Sequence, residues 1–261
     1  MFAADDLHTF ATGEDALANI RSQLARDIAR KQNSKLISQI WGLLSAEGAP
    51  LNETHVCDVS VCTGDVQFGN TLNPATITGA KYKLSEHAGT LTRLAVHPDT
   101  AAWLESNGML TTTNVTDTSN AASAIWGGGG IGLSSTEVRT FAGLQVIVDE
   151  MLPVICNDGG PAQYSSYLFE PGVVKTGQQY PLVIETERNI QSIQDVFTVR
   201  YSQIHHVLGT SWNASFDNPT NEQLRMPEYW SAAYCDTRHI HMVELRHNLE
   251  MPCLPTEATC G

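Results

Sequence analysis

The chain has 261 residues, 42% of them hydrophobic and only 16% charged, with 28 acidic against 15 basic side chains and a net charge of −13. With no Lys/Arg run to offset that charge, binding nucleic acid by phosphate neutralisation is disfavoured, because that mode needs clustered cations. The apolar runs reach about five residues, far short of the roughly twenty that span a bilayer, and MFAADDLHTF has no basic-then-apolar leader pattern.

The length suits one to two domains. A surface with so few charges suggests that much of it is covered, most simply by copies of the same chain. Six cysteines are too few and too loosely spaced for a disulfide framework. His55, Cys57 and Cys62 would need a fourth ligand to hold zinc, and the sequence identifies none.

In chain order, Thr12-Gly13-Glu14-Asp15 reads as a helix opening of capping-box type. Leu17, Ile20, Leu24, Ile28, Ile37, Ile40, Trp41 and Leu44 then recur at helical steps, with Gly48 as a stop. At about 1.5 Å per residue this helix is about 50 Å long, and Asn33-Ser34 is a place where it could divide. A strand is expected around His55 to Val61, a helix over Ala75 to His87 and a short buried strand over Leu91 to Val96. His97-Pro98-Asp99 starts a helix that ends at Gly108.

Met109 to Arg139 reads as the least regular region. Gly127, Gly129 and Gly132 satisfy G-x-G-x-x-G there, but without the preceding strand and following helix that a dinucleotide cradle requires. Three strand-like runs follow, Leu144 to Val148, Tyr164 to Phe169 (closed by Pro171-Gly172) and Val196 to Val199. Between the last two stand Glu185, Glu187 and Arg188, able to pair within a subunit or across to another. Asn218-Pro219-Thr220 is a helix entry. Arg238 to Leu249 reads as a half-buried strand with His239, His241, Glu244 and Arg246 on the polar face.

No catalytic, cofactor or metal site emerges from these patterns. His239 and His241 have a permissible ligand spacing, but no third ligand is apparent. Asp149-Glu150 at a strand end reads more readily as a turn cap than as catalytic acids.

The segments LTRLAVHPDTAAWLESNGML, TFAGLQVIVDEMLPV, QYSSYLFEPGVVKTG, VIETERN, DVFTVRYSQIHHVLGTSW and NPTNEQLRMPEYW, in that order, resemble a lineage of tailed-bacteriophage major capsid proteins. The resemblance implies the HK-ninety-seven-like α+β shell fold, with a long spine helix, a peripheral domain and an axial domain. It places an N-terminal remnant at 1–11, the spine helix and peripheral domain at 12–74 and the axial domain at 75–180. A return to the peripheral domain follows at 181–215, a return to the axial domain at 216–250 and a tail at 251–261. The family's N-terminal arm and long E-loop hairpin are expected to be missing or very short.

By the same resemblance the chain is a structural protein, not an enzyme, without cofactors. It would self-assemble as hexamers and pentamers into an icosahedral head around double-stranded DNA, contacted without sequence specificity, in the virion. Portal, scaffold or decoration proteins are the further partners implied, and Glu185, Glu187 and Arg188 are the candidate assembly contacts. The alternatives are an encapsulin-like nanocompartment shell or, in a different class, a metal- or nucleotide-dependent enzyme.

Overall fold

The fold is taken from a computed structural model, which describes residues 2–5, 16–115, 136–155, 160–189 and 194–250. The helix opening at Thr12 to Asp15, the glycine-rich run at 127–132 and the tail at 251–261 therefore lie outside the described residues.

A long helix, α1 (Ala16–Ile40), continues without a break through Asn33-Ser34. Its final turn, Trp41–Ser45, widens, so that the Ala46 N–H reaches five residues back to the Trp41 carbonyl at 2.9 Å. Gly42 explains the geometry of this turn. A Cβ there would lie 2.3 Å from the Leu224 carbonyl oxygen and 2.9 Å from Trp230 Nε1, the two groups joined by a 2.8 Å hydrogen bond across the helix end. Gly42→Ala is accordingly expected to destabilise the chain by about 1–3 kcal/mol, as overpacking does, read as a lower urea midpoint at unchanged m-value.

The main sheet has the order β2 (Val56–Asp58), β13 (Met242–Asn248), β8 (Gln163–Phe169), β3 (Arg93–Val96), β6 (Leu144–Val148), β5 (Thr136–Phe141) and β4 (Thr111–Val115), with β7 (Val154–Ile155) also on β8. Of the region read as irregular, both ends are thus strands. β5 turns into β6 through Ala142 and Gly143, both at positive φ (48° and 76°), as a two-residue hairpin with right-handed twist requires. Only the glycine advertises that turn in the sequence.

One face of the sheet carries Leu94, Val96, Tyr164, Leu168, Val243 and Leu245. Against it pack α3 (Pro74–Lys81), capped by Asn73 and Thr76, and α4 (Pro98–Ser106), where Pro98 occupies the first turn and the His97 Nδ1 accepts from Asp99 N–H. The helix expected over Ala75 to His87 is only half present, because Ser85 (φ 51°) breaks the 3-10 segment Tyr82–Thr90 that follows α3. The opposite face carries Tyr167 and Met242 beneath Ile37, Ile40, Leu43 and Leu44 of the long helix and its last turn. The apolar stripe read from the sequence thus meets the back of a sheet.

A second sheet has the order β1 (Phe2–Asp5), β10 (Gln194–Val207) and β9 (Val174–Asn189). Strands of 14 and 16 residues at about 3.4 Å per residue make a hairpin of about 50 Å. The sequence reading gives Val196 to Val199, continued as strand and turn over Tyr201 to Trp212, on the β10 side, but not β9, because Gly177 and Pro181 punctuate it. Pro181 is tolerated where the register slips, between the pairs Arg200–Val183 and Ser202–Tyr180, so no ladder bond needs its absent N–H.

The strand expected over Arg238 to Leu249 is shorter than read, since Thr237–His239 is a 3-10 turn. Not all of its polar positions are solvated either. Glu244, on the face toward the long helix, and His247, on the opposite face with Val243 and Leu245, have no exposed surface, because β13 lies between β2 and β8 and is covered on both faces.

Candidate assembly surface

Among the described residues, the hairpin is a long stretch of surface that the fold leaves uncovered. Tyr180, Leu182, Ile184 and Ile204 are 45–63% exposed, and the run 175–187 of β9 is exposed throughout. A monomer seldom leaves such a cluster in water, and a contiguous apolar patch of this kind marks a protein–protein interface. Backbone pairing and a few polar side-chain contacts, not a buried core, hold the two strands together here, which is why no core-type pattern announces them.

Glu185 and Glu187 stand inside β9, opposite Thr198 and Val196, and Arg188 stands opposite Asp195. The expectation that they lie between strands is therefore corrected, since β9 runs on to Asn189 through the polar segment. Glu185 finds its cation within the chain: Arg200 Nη2 donates to Glu185 Oε1 at 2.5 Å, diagonally across the hairpin. Both groups are more than half exposed, so the pair contributes at most about 1 kcal/mol. The side chain of Arg188 lies outside the described residues. Arg200, the residue directly after the expected strand Val196 to Val199, is the partner that the pairing register reveals.

The hairpin base is tied to the long helix. Gln32 Nε2 donates to Gln203 Oε1, and Lys35 Nζ donates to Asn218 Oδ1 at 2.7 Å. Between these elements lies an open cleft of about 360 Å³. His205 lines it, and burial together with the nearby Lys35 charge lowers its pKa. On the other side, Arg30 pairs with Glu150 at 2.9 Å, while Asp149 accepts from Asn33 at 2.6 Å and from Met151 N–H at 2.9 Å. Asp149-Glu150 thus cap the turn and anchor the helix, and neither faces a catalytic partner.

The helix end is locked to the sheet by a buried polar cluster. Glu244 accepts from Ser45 Oγ at 2.8 Å, Ser165 Oγ at 2.7 Å and Arg246 Nε at 3.2 Å. Arg246 Nη2 also donates to the Ser45 carbonyl at 2.8 Å, and Tyr167 OH lies 3.2 Å from Ser45 Oγ. Burial, and then the Glu244 charge, push the Tyr167 pKa well above its usual value. A cluster so fully partnered works as a structural lock, with no open position for a substrate.

His55, Cys57 and Cys62 are not brought together. His55 is buried with its Nε2 on the Ile240 carbonyl at 3.1 Å and its pKa lowered chiefly by burial, while Cys62 meets Gln163. His239 and His241 fare differently. The fold places His87 against both, with ring centroids 4.7 and 5.1 Å away, supplying a third nitrogen donor from about 150 residues earlier in the chain.

The chain is thus an α+β fold whose long helix backs a sheet and whose hairpin exposes apolar side chains. No family model matches it. Over 253 residues it is 25% identical to the major capsid protein of Bacillus phage SPP1, a match covering 95% of this chain and 70% of that protein. The resemblance to tailed-phage major capsid proteins that the ordered segments carry is thereby borne out over nearly the whole length.

Among solved structures, a chain from Mycobacterium phage Che8 is similar at a TM-score of 0.46 and 15% identity, covering 79% of this chain. This chain spans 65% of that one. The SrpI encapsulin complex of Synechococcus elongatus is similar at a TM-score of 0.49 and 10% identity, covering 97% of this chain and 74% of that one. The mature capsid of bacteriophage PhiM1 is similar at 0.43 and 14%, covering 94% and 69%.

Proposed function

We propose that this chain is a tailed-phage major capsid protein that self-assembles, as hexamers and pentamers, into the icosahedral head enclosing double-stranded DNA. The observation that carries the reading is the collinear match to a phage major capsid protein over 95% of the chain. The exposed hairpin supplies its physical means, since apolar side chains on a projecting ribbon are stabilised by burial against a neighbouring subunit.

In this reading α1 is the spine, the hairpin sheet belongs to the peripheral domain and the eight-stranded sheet to the axial domain. Glu185, Glu187 and Arg188, with Arg200, sit where subunits meet, and rim charges of that kind set register and partner choice more than affinity. The net charge of −13 keeps the shell from gripping its DNA, so that the genome can leave. The role is structural and not catalytic, and the place of action is the virion. No helix among the described residues is long and apolar enough to cross a membrane. Portal, scaffold and decoration proteins would dock on the assembled shell.

Electron microscopy and light scattering test this directly. The purified chain is expected to form capsomers or shells, and Tyr180→Asp with Ile204→Asp is expected to abolish them while far-UV circular dichroism stays unchanged. A monodisperse monomer at all salt concentrations, before any substitution, would overturn the proposal. Particles that hold an enzyme and no DNA would instead favour the encapsulin-like alternative.

A further inference from the structure

We infer that His87, His239 and His241 form a binding site for a divalent transition ion of the zinc class, pinning the Tyr82–Thr90 segment to the approach to β13. One nitrogen from each side chain lies within 4.8 Å of those of the other two. Tetrahedral Zn–N bonds of about 2.0–2.1 Å need these atoms about 3.3 Å apart, so modest rotation of three rings closes the site.

The second observation is the state of His241. Its Nδ1 lies against the Glu170 carboxylate, and a carboxylate only accepts, so Nδ1 carries the proton. Nε2 is then a lone-pair donor, and it is buried with no hydrogen-bond partner among the described residues. A buried, unpartnered polar atom is costly, and a cation would satisfy it. A carboxylate holding one imidazole nitrogen while the other faces a shared centre is the arrangement that orients metal-binding histidines.

Each ligand sits on a tight local structure. His87 follows the positive-φ break at Ser85, His239 ends the 3-10 turn capped by Asp236, and His241 precedes β13. His87 and His241 are largely buried and His239 is exposed, so the fourth coordination position opens to solvent and takes water. With three ligands and a water, the ion would tie together segments that are distant in sequence, and its binding free energy would add to the stability of the fold.

The test uses the full chain as purified, equilibrated with zinc chloride, passed through a desalting column and measured by atomic emission. About one zinc per chain is expected in the wild type, and below about a tenth of that in His87→Ala and His239→Ala. Glu170→Gln is expected to weaken binding about 10- to 100-fold, the range for a residue that orients a ligand. Zinc at 100 times its dissociation constant is expected to raise the melting temperature by about 5–10 °C, and His87→Ala is expected to abolish that rise, each variant being compared with its own metal-free melting temperature. Cobalt(II) in place of zinc should show the intense visible bands of tetrahedral coordination. Zinc retained undiminished in His87→Ala, or no zinc retained by the wild type, overturns the inference. His205→Ala, at a histidine in the separate cleft, should retain zinc fully, and a loss there would show mere surface adsorption.

Discussion

Arg246→Ala is expected to destabilise the fold by about 3 kcal/mol, the lower end of the range for breaking a buried ion pair by removing one partner. Glu244 has no exposed surface, and without the guanidinium it keeps only the two serine hydroxyls, at 2.8 and 2.7 Å. The Ser45 carbonyl at the end of the long helix loses its donor in the same step. Removing the charge as well should recover part of the loss, so the double variant Arg246→Met with Glu244→Gln is expected to be more stable than Arg246→Ala alone. Urea unfolding of the unassembled chain at pH 7 measures both. A loss below about 1 kcal/mol would mean that the cluster is hydrated in solution and is no lock.

Acid should destabilise the fold over a defined window because of His247. Its Nδ1 faces the Asn248 carbonyl at 3.2 Å, which only accepts, so Nδ1 carries the proton and Nε2 accepts from Ser166 Oγ at 2.9 Å. The neutral ring is thus fully partnered, and burial lowers its pKa from 6.5 to about 4. The unfolded chain, with the ordinary imidazole pKa, takes up the proton first as pH falls. Stability is therefore intact above about pH 6.5 and declines toward pH 4, where the loss levels off at about 3 kcal/mol. His55, also buried and shifted downward, acts in the same direction. The unfolding free energy measured from pH 7 to pH 4 should fall accordingly, and His247→Gln should flatten much of the slope. An unchanged slope in that variant would assign the acid response to other groups.

Both predictions concern β13, the strand whose environment the sequence disguised. MVELRHN alternates well enough to read as half-buried, and Val243 and Leu245 do face the core. Whether Glu244, on the other face, and His247, at the end of the same face, are solvated depends on what covers both faces and the flanks. That cover comes from β8, β2 and the end of α1, all remote in sequence.

Local signals, in contrast, were legible from the residues alone. The apolar spacing that predicted a long helix, the Pro98 start with its His97 cap, the Pro171-Gly172 turn and the Thr220 cap all act over a few residues, within reach of a sequence pattern. The ordered segments together also carried the likeness to phage capsid proteins, which the match over 253 residues bears out. Only the tertiary structure decided the rest. The long hairpin exists because two largely exposed strands pair through their backbones, a stabilisation that does not depend on a buried face and so is not marked by a core pattern. Arg200 became the partner of Glu185 through strand register, and His87 became the third imidazole beside His239 and His241 through chain packing. Each is a contact between residues distant in sequence, created only when the chain folds.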